Sequence, residues 1–493
     1  MRTYSDEPSH ARLSGTYSVL GVRSALYAAR FSLVSGPRSV RSYSPLSLPF
    51  PPKIMRAPSA PCRGARLAAH SADGARADGE HTCAEAVTTN RSSVKRMIAI
   101  VFGGCGKMAM PRMRAVIFDL DGVLIDSERL MHEVTGEIVR EHFGKAYEPE
   151  RFAALLGRSP RDAVAELIAA LELPCSVDEY LALSSPRLNE RWASAAPIPG
   201  AARLVRHLHA RGVPIAVATS SERPSVERKM GAHSDWFGLF AGRVVTSTDV
   251  PAAKPAPDVF LRACSLLPGA IEPSECVVIE DSPNGIVAAR AAGMRAVALI
   301  SDSVPVAAYD AAAPNERLLS LYDASPATWG LPPFADRVAR TVPCDAPLRL
   351  RGEVVRGFGR GSKELGIPTA NLPADAYAEL LCAAACGIYH GWAQVDDGPV
   401  RKMVTSVGRN PFYGNKMRTV EPHILHAFSD DFYGATLRLV IVGWVRSEAN
   451  FESLEALIRA IRADIETARV ALDEPVFAAA RSDAFFVQPA AST

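Results

Sequence analysis

The run VIFDLDGVLIDSE, Val116–Glu128, sets Asp119, Asp121, Asp126 and Glu128 directly behind an apolar stretch with the pattern of a buried strand. Burying carboxylates costs several kcal/mol unless they are paired or bind a cation. Residues two apart in an extended segment point the same way, so Asp119 and Asp121 can face one ligand. Two such anions repel, and magnesium reconciles them because it takes oxygen ligands and keeps sites for phosphate. The expectation is that this ion alone lets the pair coexist. Other strand ends add matching chemistry. Thr219 and Ser220, in VATSS, can donate to a phosphate, Lys254 in AAKPAPD can neutralise its oxygens, and Glu280 and Asp281 in VVIEDSPNG offer further metal ligands.

A second constellation lies in VVRGFGRGSKELGIPTANLP, Val354–Pro373. Glycines at 357, 359 and 361 let backbone N–H groups approach an anion. Lys363 adds a point charge for phosphate, and Thr369 and Asn371 offer oxygen ligands for magnesium. A polar run follows, GRNPFYGNKMRTVEPHILHAFSDDFYG.

The elements that must position these groups fall into two patterns. From Arg114 to about Ile300, the apolar runs AVIFDL, VPIAVATSS, GRVVTST, ECVVIED and RAVALI alternate with the helical segments GAARLVRHLHARG, PDVFLRACSLL and NGIVAARAAG. This predicts an α/β fold, a doubly wound parallel sheet, with its ligands at the carboxyl ends of the strands. Residues at about 128–196 have helical periodicity and are too long for a plain connection, so they predict an inserted cap. From 347 to 489, RLRGEVVRGF, GIYHGWAQV, RKMVTSVG, EPHILHAF and ATLRLVIVGWV predict a small antiparallel β-barrel, closed by the helix SLEALIRAIRADIETARVAL. The expected division is an N-terminal extension over 1–111, a first domain over 112–300, a linker over 301–346 containing WGLPPF, and a second domain over 347–489.

The 493 residues suit two or three domains, and 48% hydrophobic with 22% charged residues are globular values. A net charge of +2 with no Lys/Arg block gives no nucleic-acid footprint, and no apolar run reaches the ~18 residues that span a bilayer. The nine cysteines show no zinc spacing; Cys382 and Cys386 lack a histidine set, so reduced thiols of an intracellular protein are expected. GGCGKM at 103–108 has neither the glycine gap nor the hydroxyl residue of a phosphate loop. Between Ala11 and Ala72 there is no Asp or Glu, while Arg, Ser and Ala abound. That composition fits an organellar transit peptide; a disordered extension, or a start at Met97, Met108 or Met113, fits as well. The cytoplasm is the expected compartment unless this segment directs import.

The four motifs around Asp119, Thr219, Lys254 and Asp281 resemble those of the haloacid dehalogenase superfamily of phosphatases across about 112–333, with a helical cap similar to that of beta-phosphoglucomutase and its relatives. The resemblance implies that Asp119 attacks phosphorus and forms an aspartyl-phosphate, and that Asp121 acts as acid and then base. It also implies magnesium held by Asp119, the Asp121 carbonyl and Asp281, and phosphoryl oxygens held by Thr219 and Lys254. Val123 stands where Thr is common. Arg158 is the cap candidate for a substrate contact, with a surface salt bridge as its alternative, and His207 and His209 read as structural.

GRGSK-LGIPTAN with VEPHIL and DFYG resembles riboflavin kinase across about 347–489. This implies transfer of the ATP γ-phosphate to riboflavin, giving FMN and ADP, with Glu421 as general base and magnesium at Thr369 and Asn371. Gly357 and Lys363 would cradle ATP, Ile424, His426 and Tyr433 would line the nucleotide pocket, and Arg446 and Phe451 would contact flavin. Phe451 fits a core role equally well. Ala449 replaces a basic residue, which removes one product contact. With no nucleotidyltransferase motif in 1–346, the flavin is expected to stop at FMN. The order of the two units resembles that of the plant proteins that join an FMN phosphatase to a riboflavin kinase. Three alternatives stay open for the first unit: a phosphatase of sugar, glycerol or pseudouridine phosphates, a phosphomutase, or a non-catalytic regulatory module.

Overall fold

A computed structural model of the chain describes residues 112–148, 160–356, 366–373, 377, 380–381, 384–409 and 418–487, with the short pair 17–18. Arg158, Gly357 and Lys363, and apart from that pair the N-terminal segment, lie outside the described residues.

Six strands, β1 (Ala115–Phe118), β2 (Ile215–Ala218), β3 (Val244–Val245), β4 (Cys276–Glu280), β5 (Arg295–Leu299) and β6 (Glu316–Leu318), form one parallel sheet in the order β3-β2-β1-β4-β5-β6. Its longer described helices are α1 (Ser127–Phe143), α2 (Pro160–Leu171), α3 (Val177–Arg191), α4 (Ala201–Ala210), α5 (Arg223–Gly231), α6 (Asp258–Ser265), α7 (Pro283–Ala291) and α8 (Val306–Ala312). Alternate side chains leave each strand on opposite faces. Val116, Phe118, Val217 and Ile279 enter one core layer, against Leu204 and Leu208 of α4. Ala115, Ile117, Ala216 and Val278 enter the other, against Phe260 of α6 and Ile286 of α7. Both faces are thus covered, which explains the uninterrupted apolar strands. Strand order reverses between β1 and β4, the place where such sheets leave a crevice for ligands.

Helices α1–α3 make up the cap. Asp126 caps α1 by accepting from the Arg129 N–H at 3.3 Å, and Gly144, at φ 62°, ends it. Val134, Ile138, Leu167 and Tyr180 give the cap its own small core.

The second unit is an antiparallel sheet of β7 (Val342–Glu353), β8 (Gly387–Val395), β9 (Arg401–Arg409), β10 (Arg418–Ile424) and β11 (Thr436–Ser447), in the order β10-β9-β8-β11-β7, followed by α9 (Leu454–Ala471). Leu350, Met403, Val420, Leu439 and Trp444 pack on one face, and Trp392, Val440 and Val442 meet Phe477 and Phe486 on the other. The outer strands β7 and β10 are bridged by an extended segment. Val355, just past β7, donates to the Asn371 carbonyl at 3.0 Å, and the Ala370 N–H donates to the Pro422 carbonyl at 2.9 Å.

The chain between the units is packed on both sides. Trp329 is 2% exposed in the first core, and its indole N–H donates to Glu316 at 2.9 Å. Arg203 of α4 pairs with Asp336 at 2.6 and 2.8 Å, under the ring of Phe334. Tyr322 belongs to the second core, with its ring 5.3 Å from that of Trp444, and Ser447 donates to Asp323.

Candidate active sites

The first site forms where β1 and β4 end side by side. Asp119, Glu280 and Asp281 are buried, and one oxygen from each lies within 4.8 Å of the others. Lys254 enters between them, 2.5 Å from Asp119 Oδ1 and 2.7 Å from Glu280 Oε2, and also donates to the Ala218 carbonyl at 3.2 Å. Burial, with the charges of Glu280 and Asp121, pushes Asp119 up to about 8 against the pull of Lys254. Asp281 is likewise held well above the carboxylate range, by burial first and then by Glu280 and Glu128. Three carboxylates share one ammonium, so the donor set carries surplus negative charge and oxygen ligands only, which fits magnesium.

Backbone geometry lets these groups meet. Gly122 turns the chain at φ +77°, and a Cβ there would lie 2.1 Å from Asp281 Oδ2. Ser282 caps α7 and donates from its N–H (3.1 Å) and hydroxyl (2.7 Å) to Glu280 Oε1. Val123, in the place where Thr is common, is fully buried in the core.

Asp121 has a different neighbourhood. Its Oδ1 accepts from Ser127 at 2.5 Å and Lys229 at 2.6 Å, and its Oδ2 accepts from Ser221 at 2.7 Å and Thr219 at 3.3 Å. Burial disfavours its charge, yet Lys229 and these hydrogen bonds prevail and hold it below the ordinary value. The expectation that a metal ion alone reconciles Asp119 with Asp121 is therefore corrected, because Lys229 pairs with Asp121 while Lys254, shared with Glu280, pairs with Asp119. Thr219 is buried and turned to Asp121, while Ser220 is half-buried beside it.

Sequence reasoning missed four residues here. Lys229 and Ser221 grip Asp121, Tyr309 of α8 donates to the Asp281 carbonyl at 2.7 Å, and the charge of Glu128 bears on Asp281. Ser221 adjoins the expected pair and Glu128 closes the opening motif; neither Lys229 nor Tyr309 carries a motif. His207 meets the Pro332 carbonyl at 2.9 Å and the Phe334 ring, a structural role, and His209 is exposed.

In the second unit, the Ala370–Pro422 hydrogen bond sets Thr369 and Asn371 beside Glu421. Thr369, Asn371 and Glu421 are half-buried, and His423 Nδ1 lies 2.8 Å from the Pro368 carbonyl. Ile424 is 5% exposed within the core. His426 is exposed, edge-on to Phe428, and Tyr433 lies under the Arg356 guanidinium at 4.9 Å. Arg446 makes a two-pronged pair with Asp464 of α9, at 2.9 and 2.6 Å, and lies 5.7 Å over the half-buried Phe451 ring.

Comparison with known proteins matches two families to separate parts of the chain. A haloacid dehalogenase-like hydrolase family matches residues 113–293, and the riboflavin kinase family matches residues 344–472. The Arabidopsis thaliana bifunctional riboflavin kinase/FMN phosphatase is 42% identical over 376 residues, which is 76% of this chain and 97% of that protein. The chain belongs to the bifunctional riboflavin kinase/FMN phosphatase family. Members of this family join two enzymes, and each half of this chain has relatives of its own. A Mus musculus riboflavin kinase is 53% identical over 140 residues, 28% of this chain and 90% of that protein. An Arabidopsis thaliana (DL)-glycerol-3-phosphatase 2 is 33% identical over 226 residues, 45% of this chain and 92% of that protein. This bifunctional flavin-related enzyme therefore carries a C-terminal riboflavin-kinase domain and an N-terminal haloacid dehalogenase-type phosphatase domain with a clustered acidic site. Among the described residues, no helix is long and apolar enough to cross a membrane.

Proposed function

We propose that the N-terminal site hydrolyses FMN to riboflavin and that the C-terminal site makes FMN from riboflavin and ATP. The observation that carries this reading is the buried group of Asp119, Lys254 and Asp281 at the β1/β4 crevice, in a chain aligned through both units with one bifunctional relative. We assign the phosphatase to about 112–333, since β6 and Trp329 belong to its sheet and core, and the kinase to about 342–487. The bridge at 370 and 371 supports closure of the second sheet into a barrel. The cytoplasm remains the proposed compartment, with import as the alternative.

In hydrolysis, Asp119 reacts as the carboxylate and bonds to phosphorus as the ester P–O bond breaks, and Asp121, having first exchanged one of its hydrogen bonds for a proton from solvent, protonates the departing alkoxide. Asp121 then takes a proton from the water that attacks the aspartyl-phosphate, freeing phosphate and Asp119. Lys254 and Thr219 hold phosphoryl oxygens, with Ser220 beside them, and Glu280 fixes the lysine. Magnesium, held by Asp119, Asp281 and the Asp121 carbonyl, would offset the charge that gathers between two anions. In the kinase, Glu421 orients and deprotonates the riboflavin hydroxyl that attacks the γ-phosphorus, and Thr369 and Asn371 would hold the metal beside the phosphates. His426 and Tyr433 flank the nucleotide with Ile424 beneath them, and Arg446, braced by Asp464, supports Phe451 against flavin.

The test is a phosphate-ester panel on the full chain, with FMN beside glycerol and sugar phosphates. FMN should be the preferred ester, and Asp119→Asn should abolish hydrolysis while FMN synthesis continues. Preference for another ester would overturn the substrate, and hydrolysis by the Asn variant would overturn the nucleophile.

A further inference from the structure

We propose that Lys229 is a positioning residue for the acid–base carboxylate Asp121, a proposal that rests on the phosphatase reading above. Lys229 stands on α5 and is 2% exposed. Its Nζ lies 2.6 Å from Asp121 Oδ1, 3.1 Å from Ser221 Oγ and 4.2 Å from the centre of the Trp192 ring. Burying an ammonium is costly unless it is paired, so its placement here needs the Asp121 carboxylate as much as the carboxylate needs it.

The surroundings show what the pair does. Asp121 accepts four hydrogen bonds, two on each oxygen, which fills the acceptor directions of a carboxylate. To take or deliver a proton it must release one of them. Ser127, Ser221 and Thr219 hold it through hydroxyls that rotate freely about their C–O bonds. Lys229 cannot yield so easily, because it is a buried charge whose carboxylate partner among the described residues is Asp121, and its head sits against Trp192. Lys229 therefore stays as the anchor while a hydroxyl gives way, and it sets the position from which Asp121 reaches the ester oxygen. Ser127 begins the first cap helix and Trp192 follows the last, so both entrances to the cap bear on this carboxylate.

The measurement is kcat/KM of the full chain for FMN and for 2,4-dinitrophenyl phosphate. This quantity covers the steps up to the aspartyl-phosphate. The alkoxide leaving FMN needs a proton and the dinitrophenolate does not, so only FMN reports on a well-placed Asp121. Lys229→Met should lower the FMN value at least about tenfold more than the aryl value. That ratio does not depend on the fraction of protein folded. An equal loss on both esters, or no loss, overturns the proposal. If Lys229→Met is inactive on both, Lys229→Arg decides. Recovery of the aryl activity with the wild-type FMN preference supports positioning by the cation, and failure on both esters counts against it. If the wild-type chain hydrolyses neither ester, the phosphatase reading itself falls, and this proposal with it.

Discussion

Asp119 and Asp121 stand two positions apart in the chain, yet each answers to a different lysine, Lys254 from the loop before α6 and Lys229 from α5. The sequence announced the carboxylates because they follow a strand directly, where side-chain direction is set by a period of two. Lys254 was legible for a similar reason, in a motif close behind β3. Lys229 was not, because a lysine on a polar helix has the same local pattern whether it faces water or turns inward. In the second unit, Glu421 lies about fifty positions from Thr369 and Asn371 in sequence, and the 370–422 and 368–423 contacts bring the two segments together. If Glu421 orients and deprotonates the flavin hydroxyl, Glu421→Gln should cut kinase kcat about a hundredfold or more. Phosphatase activity in the same preparation should be unchanged. Full kinase turnover in that variant would remove Glu421 from the mechanism.

The strands of both sheets were readable from their apolar patterns, and so were α4, α6, α7 and α9. The sixth strand, Glu316–Leu318, was not: three residues, two of them charged, give no periodic signal. Strand β8 carries a further consequence. His390 is fully buried, with Nε2 3.1 Å from the Thr341 hydroxyl, and its ring fills the space where a Cβ on Gly443 would sit, 2.2 Å away. Burial pushes it down to about 3 from the ordinary 6.5, so it stays neutral while an unfolded chain binds a proton. Folded stability from this group is intact above about pH 6.5 and declines as pH falls towards 3. The slope is at most about 1.4 kcal/mol per pH unit. Denaturant unfolding of His390→Gln at pH 7 and pH 5 should show a smaller acid loss than the wild type. Equal losses would mean that His390 does not titrate on unfolding.

At the scale of the whole molecule, the two units were visible as a change of period, from alternating strands and helices to strands alone. The stretch between them was harder to read, since WGLPPF has linker composition while its tryptophan is core. Tyr322 packs against Trp444 of the kinase unit. A fragment of 342–487 lacks that contact, and one of 319–487 keeps it. The longer fragment should melt at least about 4 °C higher, from the aromatic surface it keeps buried. Equal melting would show that the contact contributes nothing.

The order of those two aromatic residues has an outcome for anyone who tries to separate the enzymes. Tyr322 comes first in the chain but is seated in the second half, and Trp329 comes later but is seated in the first. The polypeptide thus crosses over and back before it commits to the kinase. A protease nick between them would hand each piece a plug lodged in its neighbour, and the pieces would travel together through a sizing column. No single cut gives both halves their own stopper.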